Sequence, residues 1–294
     1  MQFNHTLSAI LRGRWFINKA WADAHLPLIV AMLNGSPVSF VERTGNEGIE
    51  APFALTPSTM QRTRIDQAKP GSVGILPISG PITKYNGECG EPGMIQRNSW
   101  LLQMQANPNI GSVVMLLDTP GGEASAAHTT TSTIKSFKKP ILSYIDGMAA
   151  SLGVWFTSAT DEVYIGSELG EIGSVGSYCT LFDFTGYLEQ KGIKMVEIYA
   201  PQSKDKNKDY RDALAGDVSA IEQDLKMHVD AFINSVATGA GRATKRGSIA
   251  NQNKSAWSSG KMFYGKEAVK NGLADGIRPF DQVVSKAAWL AQRN

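Results

Sequence analysis

Ser151 stands in the stretch IDGMAASLGVWFTSA, residues 145 to 159, with Ala149 and Ala150 before it and an almost wholly apolar run after it. Small residues at that point serve close packing of a helix against its neighbours. The same spacing also serves catalysis: a hydroxyl at a helix N-terminus lies where free backbone N–H groups and the helix dipole favour developing negative charge. As a nucleophile, Ser151 needs two further parts, a cradle for the oxyanion and a base. About thirty residues earlier, LLDTPGG at 116 to 122 offers the cradle. Pro120 stiffens a turn, while Gly121 and Gly122 leave the backbone bare where an oxyanion could be received. Taken alone, that motif is more often an ordinary turn from strand to helix.

The base is harder to find. The chain has four histidines, His5, His25, His128 and His228. His128 falls in the helix after the glycine turn and His228 inside a long amphipathic stretch, positions where histidine usually serves surface or packing. Lysine is the other base that works with a serine nucleophile, provided that burial or nearby positive charge lowers its pKa. KMVEIYA is followed by PQSKDKNKDYRDAL, which places Lys204, Lys206 and Lys208 just beyond an expected strand end. By composition alone this cluster is a solvated loop; its position makes it a candidate.

The elements that must hold these groups follow from hydrophobic periodicity. VGILPI, SVVMLLD, PILSYI, DEVYI and MVEIYA are short runs rich in β-branched residues and are predicted as strands. The segments around Leu101, Thr131, Val154, Leu188 and Val229 are predicted as helices. Such alternation implies an α/β fold with a largely parallel sheet, in which ligands bind beyond the carboxyl ends of strands. Residues 1–70 are predicted as an N-terminal arm and a polar linker, ERTGNEGIEAPFALTPSTMQRTRIDQAKPG being rich in Thr, Pro and Gly. Residues 71–294 are predicted as the catalytic domain.

Composition removes several function classes. A formal charge of +2 over 294 residues shows no basic excess, so no nucleic-acid partner is expected. Cys89 and Cys179 stand in no metal-binding spacing, so neither a zinc site nor a disulfide scaffold is expected, and no metal or cofactor is called for. The apolar stretch LPLIVAML starts at Leu26 without a basic flank and is too short to span a bilayer, so no membrane anchor is expected and the expected location is cytoplasmic.

In order and spacing, LLDTPGG, GMAAS, EIGSVGSY, IYAPQSKDKNKDYR and SGKMFYGKEAVKNGLADGI resemble the SppA-type signal peptide peptidase family, which includes the head maturation proteases of tailed phages. The resemblance runs from about Val73 to Val284. It implies a ClpP/crotonase-like fold and a serine endopeptidase with a Ser-Lys dyad working through an acyl-enzyme. Carried over by position, Ser151 is the nucleophile and Lys204 the base, with Lys206 and Lys208 as alternatives because Pro201 and Ser203 stand where the family commonly has a glycine and an aromatic or histidine. The oxyanion hole falls to the amides of Gly121, Gly122 and Leu152, the leucine replacing the small residue usual after the serine. The glycine-rich GSVGS implies peptide binding at Ser174, Val175 and Gly176; Ser174 or Ser177 is also placed to orient the lysine.

A single copy of the catalytic motif implies a homo-oligomer, and the phage branch implies capsid or scaffold proteins as substrates, in the host cytoplasm or within a procapsid. Two alternatives stay open. One is a crotonase-like acyl-CoA enzyme, for which Glu171 is the nearby carboxylate; the other is a catalytically idle capsid-assembly protein.

Overall fold

The computed structural model describes residues 15–24, 26–27, 51–87, 90–181, 183–239 and 245–293. His5, His25 and Cys89 lie outside these residues. At its centre runs a mixed sheet of nine strands. Strand β1 (Trp15–Ile17) lies outside this sheet. The others are β2 (Phe53–Thr56), β3 (Gln61–Thr63), β4 (Ser72–Ser79), β5 (Ile110–Thr119), β7 (Ile141–Ala150), β8 (Glu162–Ile165), β9 (Glu171–Gly173), β10 (Met262–Tyr264) and β11 (Gly276–Ile277). Strand β6 (Gly121–Glu123) pairs with β1 in a separate two-stranded ribbon.

The long strands β4, β5 and β7 are neighbours and run parallel. Their residues are apolar on both faces because both faces are covered, as a parallel sheet requires. One core cluster gathers Leu76, Ile78, Met115, Leu117 and Ile145 with helices α1 (Met94–Ala106), α2 (Ala127–Lys135) and α3 (Leu152–Ser158). The opposite face packs Val73, Ile75, Val114 and Leu142 against Val283, Val284 and Ala287 of α5 (Phe280–Ala291). The amphipathic stretch around His228 forms α4 (Ser219–Ala237), and its Phe232 stacks on Trp155 of α3 with ring centroids 4.8 Å apart.

Two expectations fail here. The polar stretch read as linker contains β2 and β3, and β2 pairs antiparallel with β4, Phe53 opposite Ile75 and Leu55 opposite Val73. The apolar face of β4's edge is what recruits these few residues. MVEIYA forms no strand: residues 193–200 are irregular, with Met195 65%, Val196 68% and Ile198 90% exposed. Its β-branched run pairs with no strand among the described residues.

Strand β7 changes partner along its length. It pairs with β8 from Leu142 to Ile145 and with β9 from Met148 to Ala150. Between them, Gly147 takes φ +113, and the Asp118 carboxylate accepts the Met148 N–H at 3.1 Å. This irregularity redirects the strand end that carries the serine.

Candidate active site

Ser151 is the residue at which β7 becomes α3. It is 1% exposed and has φ 52 and ψ −111, a conformation that costs a non-glycine residue of the order of 1–3 kcal/mol and persists only where its surroundings enforce it. Those surroundings are visible. The Ser151 N–H donates to the Gly173 carbonyl at the end of β9 (2.7 Å), and its own carbonyl accepts the Val154 and Trp155 N–H groups (2.8 and 3.2 Å), closing the first turn of α3. Buried Ala149 and Ala150 let β7 sit between β5 and β9. A Cβ on Gly153 would lie 2.8 Å from Thr119 Cγ2, so α3 starts in direct contact with the end of β5. The small residues around Ser151 therefore serve the packing reading of the sequence directly: they admit the close approach of α3 to the end of β5.

The glycine turn is built as tightly. Gly121 has φ +98, and a Cβ on Gly122 would fall 1.9 Å from the Ile82 carbonyl oxygen. One edge of β6 is tied to Ile82, whose N–H donates to Gly121 and whose carbonyl accepts the Glu123 N–H, both at 2.8 Å. Helix α3 packs against β6. The two expected glycine donors are not equivalent. The Gly121 N–H donates to Thr119 Oγ1 at 3.2 Å, and the Thr119 hydroxyl donates to the Gly80 carbonyl at 2.6 Å, so the Gly121 amide is already engaged in holding the turn. That engagement sets Gly121 apart from the other two amides assigned from the sequence, Gly122 and Leu152. Leu152 opens α3, where no carbonyl of its own helix can accept its N–H.

The expected peptide-binding residues follow directly on β9. Ser174 takes φ 56 and its N–H donates to the Lys261 carbonyl at 2.9 Å, Val175 is fully buried, and Gly176 is half-buried. The strand itself ends at Gly173, which pairs with Ala150 on one side and Met262 on the other. Ser177 Oγ donates to the Leu225 carbonyl of α4 at 3.0 Å, so its hydroxyl is committed to packing α4 and not to orienting a lysine.

Lys204 lies elsewhere. It follows the 3₁₀ turn Pro201–Ser203 and is exposed, as are Lys206 and Lys208. Arg211 organises this loop by donating to the carbonyls of Lys206 (2.6 Å) and Lys204 (2.9 Å). Lys208 is paired with Asp212, which raises its pKa through the side-chain hydrogen bond and the opposite charge. Within one chain, the side chains of Ser151 and Lys204 make no hydrogen bond to each other. His128 is exposed on α2, and His228 Nδ1 lies 2.8 Å from the Asp224 carbonyl within α4. Glu171, the carboxylate an acyl-CoA enzyme would use, accepts the Tyr264 hydroxyl, which holds the phenol pKa above its usual value.

Sequence reasoning missed Thr119 and Gly173. Thr119 was detectable: a hydroxyl two residues before a glycine with positive φ is a known way to close a turn. Gly173 acts through its carbonyl, which leaves no side-chain signal.

A profile of peptidase family S49 matches residues 133–294, more than half the chain and including Ser151 and Lys204. The chain belongs to peptidase family S49. A Clp protease profile matches residues 94–164, the segment that contributes α1, β5, the glycine turn, β7 and α3, and the fold is of the ClpP/crotonase type. S49 members are serine peptidases, and the curated relatives include both cellular and phage proteins. A protein of Enterococcus faecium assigned as a signal peptide peptidase SppA is 24% identical over 90% of this chain and 77% of its own length. The head-tail preconnector protein GP5 of Enterobacteria phage P21 is 24% identical over 76% of the chain, and the capsid assembly protease C of Escherichia phage lambda is 25% identical over 70%. The chain spans 44% and 46% of the length of these two phage relatives. Among the described residues, no helix is long and apolar enough to cross a membrane, and no group of three or more His, Cys, Asp and Glu residues could hold a metal ion.

Proposed function

We propose that this S49 chain is a serine endopeptidase in which Ser151 attacks the peptide carbonyl and Lys204 is the base. The observation that carries the reading is the buried, positive-φ Ser151 at the head of α3, set against a glycine turn that only glycine can form. Neutral Lys204 takes the hydroxyl proton as Oγ bonds to the carbonyl carbon. The Gly122 and Leu152 amides receive the oxyanion, and the proton passes to the leaving amine as the acyl-enzyme forms. Water then attacks the ester, with the same lysine as base, and releases Ser151.

The exposed position of Lys204 supports a reading in which a neighbouring copy supplies the second half of the dyad. Ile193, Met195, Val196 and Ile198 form an apolar run on the surface directly before the lysine loop. Covering that run with another subunit removes apolar area from water and carries Lys204 out of solvent. Single-copy catalysis by an assembled ring follows from the same argument.

For substrates, the names of the phage relatives favour head and scaffold proteins, cleaved during assembly in the host cytoplasm or inside a procapsid. An active-site serine probe tests the central claim. A fluorophosphonate is expected to label the wild-type protein at Ser151 and to leave the Ser151→Ala variant unlabelled while the fold is retained. Labelling at another serine, or peptide turnover by Ser151→Ala, would overturn it.

A further inference from the structure

The ribbon of β1 and β6 joins the N-terminal segment to the glycine turn itself. The register is antiparallel, with Trp15 opposite Glu123, Phe16 opposite Gly122 and Ile17 opposite Gly121. Asn18 continues it, its N–H donating to the Pro120 carbonyl at 2.7 Å. Hydrogen-bonded and non-hydrogen-bonded pairs alternate along an antiparallel ladder. Asn18 and Pro120 are a bonded pair, so Phe16 and Gly122, two residues away on each strand, are the next. The Gly122 N–H therefore points at the Phe16 carbonyl.

On the peptidase reading that amide is one of the two proposed oxyanion donors, the Gly121 amide being held within the turn itself by Thr119. On that reading the Phe16 carbonyl occupies the donor that the carbonyl of a peptide under attack would use. The edge of β6 that it occupies is also the edge open to an added strand, since the other is held by Ile82. Recognition of an extended peptide by strand addition uses main-chain hydrogen bonds of this kind and places few demands on side-chain identity.

We propose that residues Trp15–Ile17 are a tethered peptide ligand lying in the substrate position, and that extended peptides enter by displacing them. The ligand class is an extended polypeptide backbone bound antiparallel to Gly121–Glu123. The occupant is suited to displacement: it is three residues long, it forms a two-stranded ribbon apart from the main sheet, and such a ribbon is marginally stable alone. Ile17, 6% exposed, supplies the apolar contact that holds it. An occupied site lowers the apparent affinity for any incoming peptide by the fraction of time that it is closed. The arm is therefore a competitive brake on the site, acting on KM and not on the chemical step.

This inference rests on the peptidase reading for its meaning, yet it is testable without catalysis. In the Ser151→Ala background, Phe16→Pro and Asn18→Pro together remove the two N–H donors of β1 without touching the sheet or α3. A fluorescent peptide of residues 12 to 19, RGRWFINK, is titrated against Ser151→Ala with and without the two prolines, with fluorescence polarisation as the readout. The proline variant is expected to bind the peptide about tenfold more tightly, and its Gly122 amide is expected to exchange hydrogen faster when no peptide is present. Equal affinity and equal exchange in the two proteins would overturn the proposal. Turnover by the chain with Ser151 intact then separates the two readings. Tighter binding without turnover of any peptide sinks the peptidase and leaves the occupied edge standing. Turnover with unchanged binding does the reverse.

Discussion

The two halves of the proposed dyad sit in opposite physical settings. Around Ser151 the backbone is over-determined: the residue is buried, its N–H and carbonyl are both bonded, and glycines at 122 and 153 leave no room for a Cβ. Around Lys204 no strand among the described residues pairs with the chain, the lysine side chains are exposed, and the apolar run before them is exposed, Ile198 at 90%. A nucleophile can be positioned within one subunit by local packing. A lysine base must also be desolvated, and an exposed loop cannot desolvate it; an assembly can. On the proposed reading, the difference between the two regions is thus the difference between preorganisation within a fold and preorganisation by association.

The sharpest way to break this comparison is to change the lysine side without changing its charge. Lys204→Arg keeps the positive charge but supplies no proton acceptor. It is expected to lower kcat by about a hundredfold to ten-thousandfold, whereas Lys206→Arg and Lys208→Arg retain most activity. Steady-state kinetics on one peptide decides it: activity lost in either neighbour and kept in Lys204→Arg moves the base along the loop. If all three stay active, the dyad fails. On the serine side, Gly122→Ala puts a methyl into the Ile82 carbonyl and shifts β6, with an expected loss of about a hundredfold to a thousandfold in kcat from one displaced oxyanion donor. Gly71→Ala, where a Cβ meets open space but φ is +80, is the control for strain alone: it should lower the melting temperature and spare kcat.

A third change tests association itself. Ile198→Asp places a charge on the exposed run and is expected to reduce the assembled fraction in sedimentation and to lower activity in step. The stability of the single chain should move by no more than about 0.5 kcal/mol, because the Ile198 side chain is 90% exposed. An unchanged assembly with full activity would show that the apolar run serves neither contact nor catalysis.

Where the sequence was legible, the reason was burial. The runs at 72–79, 110–119, 141–150 and 162–165 are strands covered on both faces, so their β-branched residues announce both the element and its place in the core. MVEIYA carries the same signal and is no strand, because an apolar run reports that a surface is to be covered and not which chain covers it. Phe53–Thr56 failed in the opposite sense: four residues in a polar stretch become a strand only through pairing with Ile75, Gly74 and Val73 some twenty residues on. At the site, Ser151 and the glycine turn were legible as residue types. The commitment of the Gly121 amide to Thr119 and the pairing of Phe16 with Gly122 were not, since main-chain bonds depend on register and not on identity.

Two smaller changes sharpen the serine side. Gly153→Ala forces a methyl to within 2.8 Å of Thr119 Cγ2, so α3 must slide or Thr119 must turn away from Gly80. Overpacking of this kind costs about 1–3 kcal/mol, and the shift should also lower kcat because α3 carries the Leu152 amide. A variant that melts earlier yet keeps its kcat would show that the contact serves stability alone.

The smallest expected effect belongs to Ser177. Its hydroxyl donates to the Leu225 carbonyl across 3.0 Å, tying the loop after β9 to the first half of α4. Leu225 lies inside α4, where its carbonyl also has an intrahelical partner, so removing the hydroxyl strands no buried acceptor. Ser177→Ala should therefore cost about 1 kcal/mol, read as a modest fall in the denaturation midpoint with an unchanged slope. Its kcat and pH profile should match the wild type, because the hydroxyl's hydrogen points at α4 and not at a lysine. A changed pH profile in Ser177→Ala would mean that, in an assembled enzyme, the hydroxyl leaves Leu225 to hold the lysine ammonium, and the serine side would then be completed by association as well.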